Sequence, residues 1–387
     1  MPNPDLICEV RTEGGVYQDW LTVQVSQSFD AAWQRTFRLT CAEPEDPNSR
    51  RQTASGSSWG EAAQIAAQRL LPGMRVDIAL AGEVVIQEGY IGNRQTAFDA
   101  NRHGVQVTGF SKAELTRKAS ADGGTGQFRG YKLDAIANRL LKPHGLKFRV
   151  EGGPDGWDTP FPNFTIRHGE TPFDAISRGC RQRGLWLRAD ANGDFVAGAR
   201  QGGKGAMFEQ GVNILSANCS IDMPSVQDIV ARSQVAGSDS LFGRQAAEIS
   251  AKAQMSNGVP GLARKVLAEM PLGQKELQLR TNMEAQAIEA DLLRVTLAYQ
   301  GWLNPNGELW ALSDFVSVRS GMLFPLADPQ MDLKLWAYTY GQTPEGQTTT
   351  AIELVNAKAF QQKNPDGQAS DGFYNQPVTQ AQPEART

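Results

Sequence analysis

Three histidines, His103, His144 and His168, are the residues through which acid–base work near neutrality or imidazole–metal binding would have to run. Such a site needs a second group at set spacing, and no H-E-x-x-H or similar pair occurs. His144 stands in Pro143-His-Gly145 and His168 precedes Gly169-Glu170, so both read as turn residues. Cys8, Cys41, Cys180 and Cys219 are far apart and form no C-x-x-C pair. They read as small apolar residues rather than metal ligands. Residues 198–205, GARQGGKG, match G-x-x-x-x-G-K, but Gly205 stands where a Ser or Thr hydroxyl would hold magnesium, and no obvious helix opens there. An interdomain linker is the better reading. Asp155 with Asp158, or Glu88 with Asp99, could serve as a glycosidase pair only if folding set them about 5 to 10 Å apart. The 42 acidic residues make accidental pairs common, and turn placement already accounts for Asp155 and Asp158. Trp302 and Trp310 frame an Asn-Pro-Asn-Gly turn; a sugar platform is conceivable, but packing across a hairpin explains them better. The sequence assigns no catalytic, cofactor-binding or metal-binding residue, and the chain reads as a non-enzyme without a cofactor.

The elements around these residues are mostly strands. Leu21, Val23 and Val25 alternate with polar residues, as do Phe37, Leu39 and Cys41, then Val76, Ile78 and Leu80, then Val105 and Val107. Gly14-Gly15 and Gly82 fall at turns. Residues 43–57 read as a long polar loop and 58–71 as a helix, with capping-box spacing between Ser58 and Glu61 and an apolar face of Ala62, Ile65, Ala66 and Leu70. The period shifts to 3.6 between about 130 and 200. Leu133, Ile136, Ala137, Leu140 and Leu141 form one stripe, and a second helix is expected from Thr171 as N-cap, through Pro172, Phe173, Ile176 and Cys180, to Gly184. Strands at 185–188 and 195–197 are expected to meet as a hairpin through Asn192-Gly193. Alternation returns after Gly211, at Val316 and Val318, Leu333 and Leu335, and Ile352 and Leu354. A helix is expected across 283–293 with Ile288 and Leu292 inward. Beyond Phe360 the chain is polar and reads as a flexible tail.

The chain has 387 residues, enough for two or three domains, and its 40% hydrophobic content argues against wholesale disorder. Its net charge of −4 argues against tight nucleic-acid binding, which depends on counterion release by clustered Lys and Arg. No basic leader and no apolar run of membrane-spanning length is present, so the chain is expected to be made in a cytoplasm and to stay soluble.

Several segments resemble, in order, the baseplate hub proteins of Mu-type contractile phages, a family also described as late-control or tail protein P-like. They are Asn3-Pro4, Gly14-Gly-Val-Tyr17 before Asp19-Trp20, Gly89-Tyr90-Ile91 and Val107-Thr-Gly-Phe-Ser-Lys112. The middle matches best, with residues 133–141 and Pro143-His-Gly145, then Gly169-Glu-Thr-Pro-Phe-Asp-Ala-Ile176, Arg183-Gly184 and Ala191-Asn-Gly-Asp-Phe-Val196. Gly211-Val-Asn-Ile-Leu215 and Trp302 to Trp310 before Val316-Ser-Val318 complete the series. The insertion at 43–71 departs from the pattern.

The resemblance implies a mainly β protein with two tail-tube-like β-barrel domains, 1–115 and 206–360, joined by a smaller α+β domain, 116–205, and followed by the tail 361–387. It implies a homotrimer whose pseudo-sixfold ring adapts a sixfold tail tube to a trimeric central spike. Tube or tube-initiator, wedge and tape measure proteins are the further expected partners. DNA would pass the channel without specific binding, no segment would span a membrane, and the place of action would be the virion tail baseplate after assembly in the host bacterial cytoplasm. Two readings from other classes are a tail-associated peptidoglycan hydrolase and a tail-tip glycan- or receptor-binding module.

Overall fold

The computed structural model describes residues 7–357 except 14, 19, 30–32, 43–69, 99–102, 122–123, 125, 199–204, 235–247, 256–257, 269–270 and 325–327. The expected loop and helix at 43–71, apart from their last two residues, and the tail at 361–387 lie outside the described residues. So do Asp99, the His103 side chain and positions 199–204 of the glycine-rich run.

The first part of the chain folds as β1 (Cys8–Thr12), β2 (Gly15–Tyr17), β3 (Thr22–Ser28), β4 (Thr36–Ala42), β5 (Arg75–Leu80), β6 (Glu83–Phe98) and β7 (His103–Phe110). Period-two patterning does the sorting: Val23, Val25, Phe37, Leu39, Val76, Ile78 and Leu80 are buried, and Gln24 and Arg38 on the opposite pleat are exposed. Leu21 departs from expectation; it lies just before β3 and stays 40% exposed.

The chain then forms an α+β unit from β8 (Gln127–Phe128), α1 (Leu133–Leu141), β9 (Phe148–Val150), β10 (Phe164–Thr165), α2 (Pro172–Gln182), β11 (Leu187–Ala189) and β12 (Phe195–Ala197). All five residues of the expected α1 stripe are buried. At α2 the Thr171 hydroxyl accepts from the Asp174 amide at 3.1 Å and Pro172 fills the first turn, where a missing N–H costs nothing. The hairpin is present with a wider loop than Asn-Gly alone requires. The Asp190 carboxylate accepts from the Asn192 and Asp194 amides, and Gly193 takes φ +78°.

The last part comprises β13 (Ala206–Glu209), β14 (Ser216–Ile221), β15 (Asp228–Ser233), β16 (Ile249–Gln254), β17 (Ala263–Leu267), α3 (Gln274–Leu292), β18 (Leu293–Gln300), β19 (Phe315–Arg319), β20 (Gln330–Gln342) and β21 (Thr348–Asn356). The helix starts earlier than the stripe at 283–293 suggests, Ile288 is only half-buried, and Leu293 already belongs to a strand. Its buried side includes Arg280, Thr281 and Gln286, so polar residues on the inner face mask the apolar period. α3 packs on a separate three-stranded sheet ordered β16-β15-β17, with Leu272, Leu277, Ala231 and Ile249 between them. Sequence reading did not separate this small layer from the larger β unit.

The fold is mainly β. Its large sheet runs β14-β18-β21-β20-β3-β4-β7-β6-β5-β1-β2, with β19 on β20 and β13 on β19. The two β parts therefore share one hydrogen-bonded sheet and one core, joined where β20 pairs β3 antiparallel, from Ala337 with Ser28 to Gln342 with Val23. Strand pairing closes neither part into a complete barrel among the described residues.

One pattern recurs on both sides of that seam. β3-β4-β7-β6-β5 on one side matches β14-β18-β21-β20-β19 on the other, antiparallel throughout. The long fourth strand of each set has one extra residue, Gly92 between Ile91 and Asn93 in β6 and Trp336 between Leu335 and Ala337 in β20. The sets differ most in the connection from first to second strand, which spans 29–35 in one and 222–292, including the small sheet and α3, in the other, and also from second to third, 43–74 against 301–314.

Close approach fixes one glycine. A Cβ at Gly109 would lie 2.2 Å from both the Phe37 ring and the Tyr90 carbonyl, whereas one at Gly104 on the same strand would meet nothing within 4 Å. Gly109→Ala is therefore expected to lower the thermal unfolding midpoint by several degrees, a cost of about 1–3 kcal/mol or more from overpacking against backbone. Gly104→Ala should leave it nearly unchanged, as measured by circular dichroism melts of the two variants side by side.

Candidate functional site

The residues that could do chemistry are dispersed, and Asp155 is exposed in a turn. His144 closes the turn after α1, ahead of Gly145 at φ +64°, and partial burial pushes its pKa down. His168 is exposed in a turn. Asp158 is exposed and held 3.0 Å from Lys132, whose hydrogen bond and charge keep its carboxyl below the usual range. Glu88 pairs with Lys112 at 3.0 Å, with the same consequence. Burial pushes the Cys8 thiol up to about 12 and raises Cys180 further, so neither is poised as a thiolate. Among the described residues no group of three or more His, Cys, Asp or Glu is placed to hold a metal.

Trp302 and Trp310 are 0% and 2% exposed and present no face to a sugar. Their indole N–H groups donate to the Gly341 carbonyl at 3.0 Å and the Tyr299 hydroxyl at 2.6 Å, and the Trp310 amide donates to the Tyr340 hydroxyl at 2.6 Å. The loop is a lid on the core beneath β18 and β20.

What the fold does assemble is a joint between three distant parts of the chain. Phe29, just past β3, Trp186, just before β11, and Trp336 at the β20 bulge meet with ring centroids 4.9 to 5.7 Å apart. The bulge turns Trp336 off the core face that Leu335 occupies and into this cluster, where Ala290 of α3 and Val355 of β21 complete the packing. The Arg294 guanidinium lies over the Trp336 ring at 5.1 Å and pairs with Glu353. Aromatic contacts in such geometry contribute about 0.5–1.5 kcal/mol each beyond area burial.

Beside the cluster, Gln27 is buried with its amide fully used. Its Nε2 donates to the Trp33 and Ala189 carbonyls at 2.7 Å each, and its Oε1 accepts from the Tyr338 hydroxyl at 2.8 Å. Burial pushes the Tyr338 phenol up, which keeps it a neutral donor. Arg35, also buried, donates to the Val85 carbonyl at 2.5 Å and reaches Gln27 Oε1 at 3.4 Å. A single amide thus bonds β3, the middle unit and β20.

Buried arginines extend the joint. Arg183, at the end of α2, is wholly buried, lies 4.0 Å from the Phe161 ring centroid, donates to the Thr159 carbonyl at 2.7 Å and stands 3.7 Å from Glu276 in α3. Desolvation dominates and lowers its pKa, opposed by Glu276. Arg178 grips Glu170 through two bonds of 2.9 and 2.8 Å, and Arg188 reaches Glu151 at 2.5 Å.

Sequence reading missed Gln27, Phe29, Trp186, Trp336 and Tyr338. One signal was present: in residues 333–340 the large apolar and aromatic positions run 333, 335, 336, 338, 340, and the doubled step at 335–336 is the mark of a bulge.

Residues 117–199 match the family model described as baseplate hub protein gp44-like, second domain. Over 320 residues the chain is 25% identical to the baseplate hub protein gp44 of Escherichia phage Mu, covering 80% of this chain and 78% of that one. The 43 kDa tail protein of prophage MuSo2 from Shewanella oneidensis superposes with a TM-score of 0.73 at 21% identity, over 91% of this chain and 99% of the other. A tail protein from Neisseria meningitidis gives 0.72 at 15% identity, over 92% and 97%. The resemblance to Mu-type baseplate hubs read from the sequence holds, and these relatives are structural tail proteins rather than enzymes.

The joint makes a quantitative expectation. Tyr338→Phe leaves the Gln27 carbonyl oxygen short of its best donor, and Gln27→Ala takes a donor from the Ala189 carbonyl and from the Trp33 carbonyl, which keeps the Ala189 amide, each change costing about 1–3 kcal/mol. In a double-mutant cycle followed by urea unfolding, the two should fall short of additivity by at least about 0.5 kcal/mol, because both remove the same bond.

Proposed function

We propose that this chain is the structural hub of a contractile phage-type tail baseplate, working as a homotrimer with no covalent chemistry. The observation that carries the reading is the repeated five-strand pattern within one chain, joined edge to edge through β3 and β20. Two alike units per chain let three chains imitate a sixfold annulus. One face of the ring then suits a sixfold tail tube or its initiator, and its threefold axis suits a trimeric spike. In this reading the units 1–115 and 206–360 act as tube-like barrels and 116–205 braces them. Wedge and tape measure proteins bind at the periphery and the tube end, and the tail 361–387 serves as a partner-bound arm.

The sheet face turned away from the core supports a channel wall. Gln24, Ser26, Thr36, Asn93 and Thr108 line a broad concavity there, accompanied by the cations Arg38 and Lys118. Neutral amides and hydroxyls hydrate well without gripping phosphate, so DNA passes without specific binding. Among the described residues no helix is long and apolar enough to cross a membrane. The proposed place of action is the virion tail, after assembly in the host cytoplasm.

The hydrolase reading loses support because one carboxylate of each pair singled out for it, Asp158 of Asp155 with Asp158 and Glu88 of Glu88 with Asp99, is tied up in an ion pair. The glycan reading loses it because both tryptophans are buried.

Sedimentation velocity of the full chain, alone and with its spike, is expected to give a trimer, and class averages of that species should show threefold rings with six lobes. A monomer under both conditions, or a ring without a threefold axis, would defeat the proposal.

A further inference from the structure

Beside the aromatic joint, the middle unit and α3 leave a cavity of about 350 Å³ between them. Its apolar wall includes Phe29, Trp33, Phe173, Trp186 and Met283, with Trp33 stacked on Phe173 at 4.6 Å. Phe29, Phe173 and Trp186 are only half-buried, so this wall meets solvent. The volume lies at the small end of the roughly 300–1,000 Å³ in which proteins hold ligands, which suits a short peptide element better than a folded surface.

The same wall is short of acceptors. Trp33 is 4% exposed, and its indole N–H has no partner among the described residues; the same holds for Nε of Arg280, which is 8% exposed. The charged side chains on the wall are Arg181, Arg280 and Glu284, and Glu284 already serves both Arg280 and Arg264. Buried donors without partners are costly, and aromatic faces favour aromatic company. The occupant that completes this wall brings an aromatic side chain and a carboxylate.

The chain's own tail carries both, and it starts beside the cavity. Val355, near the end of β21, packs with Trp336, Phe29 and Trp186, the last two of which also line the cavity, and Ala357 is fully buried. Residues 358–387 follow from there. Beyond Gln361 the only aromatic residues are Phe373 and Tyr374, and they end the stretch Asp366-Gly-Gln-Ala-Ser-Asp-Gly-Phe-Tyr374, which has two carboxylates and no cation.

We propose that Asp371-Gly-Phe-Tyr374 of the same chain's tail occupies this cavity, with the aromatic pair against Trp33, Phe173 and Met283 and the Asp371 carboxylate toward Arg181 and Arg280. Reach allows it. Ala290, which packs with Val355, is seven residues along α3 from Met283, a rise of about 10 Å. Sixteen residues separate Ala357 from Phe373, and a coil of that length spans about 20–24 Å on average. The tether therefore holds the element at an effective concentration of about millimolar order. This goes beyond the hub reading and needs no second copy: the arm is stored on its own chain, and a partner has to displace it before using it.

The test compares hydrogen exchange of the full chain with that of its Phe373→Ala/Tyr374→Ala and Val378→Ala variants, all altered outside the core. Amides in 177–187 and 280–287 should exchange about threefold or more faster in the double variant, the factor 1 + [L]/Kd for a tethered element whose Kd is half its effective concentration or lower. Val378→Ala should match the parent, and a synthetic peptide of residues 366–376 added to the double variant should restore its protection. Equal exchange in parent and double variant overturns the proposal, whatever the free peptide does. A second measurement assigns the copy: Gly372→Cys with Ala287→Cys, in the full chain with Cys41 and Cys219 changed to serine, is oxidised mildly and run without reductant. A disulfide within one chain, seen as a faster-migrating monomer, is expected; covalent dimers overturn the assignment to the chain's own tail. Sedimentation decides the trimeric hub separately, so either reading can fail while the other stands.

Discussion

A β-strand has two edges, and every amide and carbonyl along them must find a partner or face water. β20 meets this constraint by dividing one edge between two strands, β19 before Trp336 and β3 after it. The rest of the molecule follows from that division. It joins strands more than three hundred residues apart into one sheet, merges two cores into one, and makes the bulge the natural place for the middle unit to dock. The side chain displaced by the extra residue is the tryptophan that Phe29 and Trp186 enclose.

Polar groups at the joint add direction to what apolar packing alone would leave slippery. Gln27 makes three bonds to three parts of the chain, each with both partners withdrawn from water. The net gain from such bonds is modest, about 1 kcal/mol apiece, but the cost of breaking one is larger because a buried group is left bare. The buried arginines follow the same logic. Arg178 and Arg188 have carboxylate partners at short range, while Arg183 relies on an aromatic face, a carbonyl and a more distant Glu276. Rearrangement at these contacts is therefore penalised in proportion to how little water can help.

Local signals were legible in the sequence, and distant ones were not. α1 and α2 fall where spacing and the Thr171-Pro172 cap put them, since helix stripes and caps involve neighbours in the chain. The strands at 22–28, 36–42, 75–80, 315–319 and 348–356 were visible through alternation. The pairing of β3 with β20 left no trace in either strand, because a hydrogen-bonded edge makes no demand on side chains. α3 was seen only in its last half, since Arg280, Thr281 and Gln286 occupy its inner face, and the small sheet β16-β15-β17 went unseen for want of strong alternation in 263–267. Of the joint, only the doubled apolar step at 335–336 could have been noticed in advance. The order of motifs shared with Mu-type hubs carried the functional reading where single residues could not.

The two strand sets share one strand order, and their connections differ most where β14 leads to β18. There the second set carries the small sheet and α3, and the first has only a short connection. That insertion labels one unit of each pair. In the proposed ring of three chains, a neighbour that grips only the shared strand pattern would count six alike stations around the circle. A neighbour that touches the insertion counts three, each with an unambiguous clockwise sense, so a single embellishment converts a featureless annulus into a dial with marked hours.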